Sequence, residues 1–318
     1  MQIRIRPLEQ RDLPEADRII RLAFGTFLGL PDPTTTFGDS DMAYTRFRAA
    51  PDSHLAADAD GNLVGSNFVT CWGSFGFFGP LSVDPRFWEQ RVAQRLLEAT
   101  MALFEKSGCR HTGLFTFSHS PKHAALYQKF DYWSRFLTPV MSKQVAPSQV
   151  TLSTVQHRYT RFSELPASQK EDALAGCRQT TGAIYEGLDV SLEIRAVDSQ
   201  RLGDTILLLD GSKISAFAAC HVGPKTEAGS GNCYVKFGAV RPDSSARRNF
   251  EALLDSCEAY AAARDAGRLT AGVNMGRHES YRIMVGRGFR TDILGVAMHR
   301  ANDPGFNRPG VYVLDDWR

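Results

Sequence analysis

One segment of this chain occurs twice. "VDPRFWEQRVAQRLL" (residues 83–97) and "VRPDSSARRNFEALL" (240–254) each place Val-x-Pro ten residues ahead of Leu-Leu, at an offset of 157. The same offset pairs Tyr132 with Phe289, each closing a short helical pattern and opening a strand pattern. Two separate landmarks at one spacing mark an internal duplication, so the chain is expected to build two like units rather than one large core. Its 318 residues fit two domains of ordinary size.

Periodicity gives each unit the same order of elements, β-α-α-β-β-β-α-β-α-β. In the first, residues 1–145, "QIRIRPL" alternates as a strand and "RDLPEADRIIRLAF" carries a helical apolar face. A helix is expected over "SDMAYTRFRAA" with Asp39 or Ser40 as N-cap, followed by a hairpin at Asp60-Gly61-Asn62. A strand over 75–83, a helix over about 87–107, the strand "HTGLFTF", a short helix in "SPKHAALYQKF" and the strand "YWSRFLTPVMS" complete the unit. A polar linker (146–155) leads to the second unit, residues 156–300. It has helices over "RFSELPASQKEDALAGCRQTTGAI" and "SLEIRAVDSQ", a hairpin at Asp210-Gly211-Ser212 and a helix over about 244–265. Residues 301–318, ending "YVLDDWR", fall outside the repeat and are expected as a tail over the junction.

The charge balance, 37 Lys plus Arg against 35 Asp plus Glu, gives no reason to expect nucleic acid or an anionic membrane as the main partner. The most apolar run, "FVTCWGSFGFFGPLSV", is shorter than the roughly 20 residues that span a bilayer and is broken by Gly, Ser and Pro. "MQIRIRPLEQRDL" lacks the apolar core of a secretion signal, and six cysteines are scattered without CxxC or Cys/His ligand spacing. A cytoplasmic protein with reduced thiols and no metal site is expected, as a monomer or homodimer.

On the Val-x-Pro, turn and helix segment together with the later "LYQKFDY", each half resembles the GNAT N-acetyltransferase superfamily, and the whole resembles a tandem GNAT protein. The resemblance implies an α/β fold of two tandem units, each a mostly antiparallel mixed sheet flanked by helices. It also implies acetyl-CoA, or another acyl-CoA, as cofactor. In that family a bulged strand ends at Val-x-Pro, and a loop of the type Gln/Arg-x-x-Gly-x-Gly/Ala opens a long helix whose first N–H groups hold the pyrophosphate. A helix N-terminus has unpaired donors and the positive end of its dipole, which suits phosphate. A bulge exposes strand backbone to the pantetheine arm.

Laid on this chain, the resemblance assigns cofactor binding to Leu81 and Val83 on the strand and to Trp88, Glu89, Gln90, Arg91, Val92, Ala93 and Gln94 in the loop and helix start. Ala93 satisfies the last small position, and Arg91 replaces the middle glycine. A Cβ there displaces the backbone if φ is positive and is harmless if the residue is helical; its guanidinium either pairs with a phosphate or fills the site. Glu89 repels a pyrophosphate unless it points to solvent. The second loop, Ser245 to Phe250, departs further, with Phe250 at the small position and its ring expected in the phosphate space. Cofactor binding is therefore expected in the first half alone.

The resemblance also places Tyr127 where a general acid reprotonates the leaving thiolate, a task that suits a group with a pKa near 10; packing on an amphipathic helix is the other role open to it. Its counterpart in the second half is Met284. No carboxylate lies on strand 75–83, so the base candidates are His119 and His123, which could equally be surface or capping groups. Trp72, Phe75, Phe77, Phe78, Phe115 and Phe117 are divided by strand alternation between core and acceptor cleft. The expected activity is transfer of an acyl group, acetyl first among them, to a small-molecule or peptide amine by direct attack. The competing reading is a silent GNAT-like module that binds a metabolite or a partner.

Overall fold

The computed structural model describes residues 2–146 and 159–318. In the first half, β1 (Ile3–Pro7) pairs with β2 (His54–Ala59), and α1 (Leu13–Phe27) buries Leu13, Ala16, Ile19, Ile20 and Ala23 as its apolar stripe. Then follow α2 (Ala43–Ala49), β3 (Asn62–Trp72) and β4 (Phe75–Val83). The half closes with α3 (Val92–Lys106), β5 (His111–Phe117), α4 (Pro121–Gln128) and β6 (Tyr132–Gln144).

The second half repeats this order. β7 (Tyr159–Arg161), α5 (Ala167–Ile184), α6 (Ser191–Gln200), β8 (Gly203–Asp210), β9 (Lys213–Gly223) and β10 (Gly229–Val240) lead to α7 (Ala246–Ala263). β11 (Arg268–Gly272), α8 (His278–Gly286) and β12 (Arg290–Arg300) follow. An added two-residue strand, β13 (Val313–Leu314), lies in the tail.

Some boundaries differ from the expected ones. The helix expected from 87 begins at Val92, because Pro85–Phe87 form a 3-10 turn and both Glu89 and Arg91 take positive φ. At α2 it is Asp41, not Asp39 or Ser40, whose carboxylate accepts the Tyr44 N–H (2.9 Å). Asp39 is held elsewhere, accepting the Ser230 N–H at 2.9 Å. "RFSELP" turns as the end of β7 and a 3-10 turn before α5 starts. The expected linker, apart from Ala146, lies outside the described residues.

Among the described residues all thirteen strands join in one sheet, ordered β1-β2-β3-β4-β5-β12-β6-β11-β10-β9-β8-β7, with β13 on β10. The order exposes an exchange. β12, last strand of the second half, pairs with β5 of the first (Ala297 opposite Phe115), and β6, last strand of the first half, pairs with β11 of the second (Ala271 opposite Met141). β12 and β6 pair with each other at the centre. Each half thus completes the other's sheet, and neither leaves an open edge at the join.

Strand alternation assigns the layers. Leu55, Ala57 and Ala59 of β2 pack with Val92 and Leu96 of α3, while Ala56, between them, packs with Leu13, Ile20 and Ala43 of α1 and α2. α3 therefore covers one face and α1 with α2 the other. On the α1 face the halves share a core in which Trp72 packs on Phe77 and Phe237, with ring centroids at 4.7 and 5.0 Å.

Four histidines are buried among the described residues, and three of them, His54, His111 and His299, are shifted by that burial. His54 accepts the Val69 N–H at Nδ1 (3.2 Å) and donates from Nε2 to the Arg46 carbonyl (2.9 Å). His111 and His299 meet across the exchanged pair, Nε2 to Nδ1 at 2.8 Å. Burial lowers His54 and His111 to about 4 and His299 to about 2. An unfolded histidine titrates near 6.5, so the unfolded chain takes up these protons first. The stability they contribute is complete above that pH and is lost as pH falls toward the folded values. We expect urea unfolding to show stability falling between pH 6.5 and 4.5 by up to about 1.4 kcal/mol per pH unit for each histidine. A flat profile there would show that they are not held neutral.

Candidate active site

β4 and β5 run parallel and stay paired only from Phe75 opposite His111 to Phe78 opposite Leu114. Beyond Phe78 the register of β4 against β3 slips between Phe78 and Leu81, which places a bulge at Gly79–Pro80. The β5-facing edge of Gly79–Val83 is left unpaired by β5, and a cavity of about 770 Å³ opens through the gap. That volume suits a sizeable organic ligand.

The loop after β4 meets this cavity. Asp84 is buried and accepts from the Arg86 N–H (3.0 Å) and guanidinium (2.8 Å), starting the turn. Trp88 Nε1 donates to the Val83 carbonyl (2.8 Å) and ties the loop back to the strand. Arg91 is the N-cap of α3 with φ 60 and ψ 18, the left-handed conformation a glycine takes freely. The arginine thus holds a left-handed backbone that a glycine would adopt without strain, at a cost of about 1 kcal/mol. No side chain caps α3 and no acidic residue stands in its first turn, so its leading N–H groups are left for a ligand.

Of the residues singled out in the sequence, Leu81, Val83, Trp88, Glu89, Arg91, Val92, Ala93, Gln94, Tyr127 and His123 line the cavity. Gln90 is not on its wall; its amide donates to the Arg86 carbonyl (3.2 Å). Glu89 is solvent-exposed, its carboxylate 3.8 Å from Lys122 Nζ. Arg91 is exposed and makes no ion pair among the described residues. Tyr127 is buried against Phe78 (5.8 Å between centroids), and burial pushes its hydroxyl well above the usual tyrosine range. His123 lies half-buried on Phe27 (4.8 Å), its pKa lowered by burial and then by Lys122 and His119. His119 is exposed, stacks on Phe27 (5.9 Å), and stands off the wall. Phe75, Phe77 and Trp72 belong to the core, whereas Phe78, Phe115 and Phe117 reach the cavity.

The second half closes the corresponding groove with its own chain. β10 and β11 are parallel from Asn232 opposite Arg268 to Val235 opposite Ala271 and then diverge. β13 enters there, pairing Gly238 with Leu314 and Ala239 with Val313, while the Val240 N–H donates to the Tyr312 carbonyl (3.1 Å). Phe250 does not project into an open phosphate space as expected. Its ring is fully buried and packs on Tyr312 at 5.4 Å. The loop has an internal anion as well, because Asp243 accepts the Ser245 N–H (2.7 Å). The tail therefore adds a strand to the second half at Val313–Leu314, and beyond it Trp317 packs on Phe75 of the first half (5.0 Å), at the junction.

From β13 the tail runs back to the first cavity, which Trp317 and Arg318 line. This inner end was not legible in the sequence, since its residues come from four separate segments. Arg46 of α2 forms a two-pronged pair with Glu227 (3.0 and 2.7 Å) and also donates to the carbonyls of Gly79 and Arg318. Lys236 Nζ adds a bond to Glu227 (2.7 Å). Burial opposes ionisation of Glu227, but Arg46 and Lys236 override it and hold the carboxylate far below its usual range. Arg318 lies over Tyr234 (4.4 Å) and pairs with Asp316 (3.1 Å), which accepts the Tyr234 hydroxyl (2.9 Å).

Comparison with known proteins agrees with this geometry. Residues 20–132 match the model of the Acetyltransferase (GNAT) family. The first half thus carries a GNAT acetyltransferase-family domain, and the chain as a whole has the fold of tandem GNAT proteins. A candidate acetyltransferase from Pyrococcus horikoshii is similar over 99% of this chain and 95% of its own, with TM-score 0.68 and 12% identity. A GCN5-related N-acetyltransferase from Sphaerobacter thermophilus is similar over 94% of this chain and 95% of its own (TM-score 0.59, 14% identity). A tandem GNAT protein from the clavulanic acid biosynthesis pathway covers 94% and 98% (TM-score 0.57, 10% identity). At these identities the likeness is one of fold. No curated protein matches the chain in sequence.

Two substitutions test the local energetics. Arg91→Gly is expected to raise stability by about 1 kcal/mol in urea unfolding, by releasing the left-handed backbone. Glu227→Ala, which strands Arg46 and Lys236 without their shared carboxylate, is expected to cost about 3–5 kcal/mol in the same measurement.

Proposed function

We propose that the protein is an acyl-CoA-dependent N-acyltransferase, acetyl-CoA being the first donor to test, with the donor held in residues 1–145 and the acceptor a small-molecule or peptide amine. Residues 156–300 form the degenerate half, and residues 301–318 fill its groove and finish the acceptor wall. The observation that carries this reading is the uncapped start of α3 facing the same cavity as the unpaired edge of β4 and Tyr127. These groups fit the donor: backbone N–H groups of residues 92–94 and Arg91 for its phosphates, and the Gly79–Val83 edge for its amide arm.

Bound acetyl-CoA supplies the acyl group and the thiol leaving group: nitrogen bonds to the acyl carbon as the carbon–sulfur bond breaks, and the proton shed by nitrogen balances the thiolate. His123 is the base. Burial keeps its imidazole neutral near pH 7, and it lies on the cavity wall, so it takes the acceptor's proton directly or through one water. His119, exposed and off the wall, does not share the task. Tyr127 holds its proton more tightly than a thiol does, so its part is to donate a hydrogen bond to the departing sulfur, not to surrender the proton outright.

Calorimetry with acetyl-CoA is the first test. Binding is expected in the wild-type protein, and its absence at high micromolar concentration would favour the silent module. Ala93→Asp keeps a favourable acid in the first turn of α3 yet sets a charge against the phosphates, and is expected to abolish binding. Arg248→Asp on the second loop should leave the Kd within about twofold, whereas Arg91→Gly should weaken it about tenfold. With an acceptor in hand, Tyr127→Phe is expected to lower kcat by about 100-fold while the Kd for acetyl-CoA stays put.

A further inference from the structure

The cavity passes through the sheet, with the α3 loop on one face and a group of aromatic rings on the other. Phe24 and Phe27 stand on the last turn of α1, Phe117 at the end of β5, and Phe37 on the loop between α1 and α2; all four line the cavity. Their centroids lie 5.4 Å apart for Phe24–Phe37, 6.2 Å for Phe24–Phe117 and 5.1 Å for Phe27–Phe117. Such spacing leaves ring faces and edges available to a further ring.

Phe37 is held there against its own preference. Its φ is 70, rare for a bulky side chain, and the residue remains 37% exposed. Both halves fix the loop. Arg21 donates to the carbonyls of Thr36 (2.7 Å), Gly38 (2.7 Å) and Ser40 (2.6 Å). From the second half, the Lys225 N–H donates to the Asp39 carbonyl (3.0 Å), and the Asp41 N–H donates to the Thr226 carbonyl (2.9 Å). A strained backbone that its surroundings over-determine, presenting an exposed ring at a cavity, is the pattern of a binding surface.

The carboxylates at the inner end are already taken: Glu227 by Arg46 and Lys236 together, Asp316 by Arg318, and Asp292 by Arg268 at 2.6 Å. None is spare to select a second cationic group on the acceptor, so selection falls to the rings. Resting on the acyltransferase reading, the geometry points to an acceptor amine that bears an aromatic ring. The ring is received on the α1 face by Phe24, Phe27, Phe37 and Phe117, and its nitrogen is directed through the gap toward Phe78 and Tyr127.

Equilibrium dialysis with 2-(1-naphthyl)ethylamine and with hexylamine tests this on the full chain, alongside calorimetry and thiol release with acetyl-CoA. The naphthyl amine is expected to bind at least tenfold more tightly than hexylamine. Phe37→Ala and Phe27→Ala should each weaken it at least fivefold with the acetyl-CoA Kd unchanged. Phe37→Gly, which relieves the backbone, should weaken it equally while raising thermal stability, so that loss of binding is not loss of fold. Equal affinity for the two amines, or ring variants without effect, would overturn the proposal even where thiol release shows acyl transfer. Ring-dependent amine binding without thiol release would uphold the aromatic site and sink the acyltransferase reading. Ring variants that weaken benzoyl-CoA and spare the amine would assign the rings to the donor and overturn the proposal.

Discussion

The exchange of β6 and β12 is the constraint on which the rest depends. A sheet that ended at β5 would present an unpaired edge next to the site, and the partner strand that covers it belongs to the other half of the chain. Each half is therefore incomplete alone. The shared core on the α1 face follows, since strands interleaved at the centre bring Trp72 and Phe77 against Phe237. So does the position of the second half beside the first cavity, where Glu227 meets Arg46.

Within that frame, one segment has taken two courses. Both halves have a strand that diverges from its parallel neighbour before a long helix. In the first, the divergence leaves backbone edge and helix donors facing open volume. In the second, β13 supplies the missing backbone partners and Phe250 is packed under Tyr312. Backbone polar groups require partners wherever they are buried, so a groove shaped for an extended ligand either takes one or is filled by chain. The tail does the latter for the second half, which explains why a large ring is tolerated where the first half has Ala93.

The element order, the same in both halves, was readable because it rests on apolar period and on Val-x-Pro landmarks, which local sequence states directly. The turn between β4 and α3 was readable for the same reason; the left-handed backbone of Arg91 was not, because an arginine is compatible with either φ and only the surrounding turn decides. The exchange left no local trace: β6 and β12 have ordinary strand patterns wherever they pair. The inner end of the cavity was equally hidden, since Arg46, Gly79, Glu227 and Arg318 are brought together by topology alone. Phe250 was read as an obstruction in an open site because the sequence does not say that residues 312–314 already occupy it.

These observations give the second half a physical part in the first cavity. Once its groove is filled by the tail, the chain leaves β13 heading back toward the join, where a Cβ at Gly113 would stand 2.6 Å from the Trp317 ring. β5 thus needs a glycine there for the tail to lie down. Trp317 and Arg318 then close the first cavity, and the segment at 225–230 pins the loop that bears Phe37. A half whose groove is filled by chain sets the shape of the other half's cleft from two directions. Changes in that half would alter what the cleft accepts without touching the loop at α3.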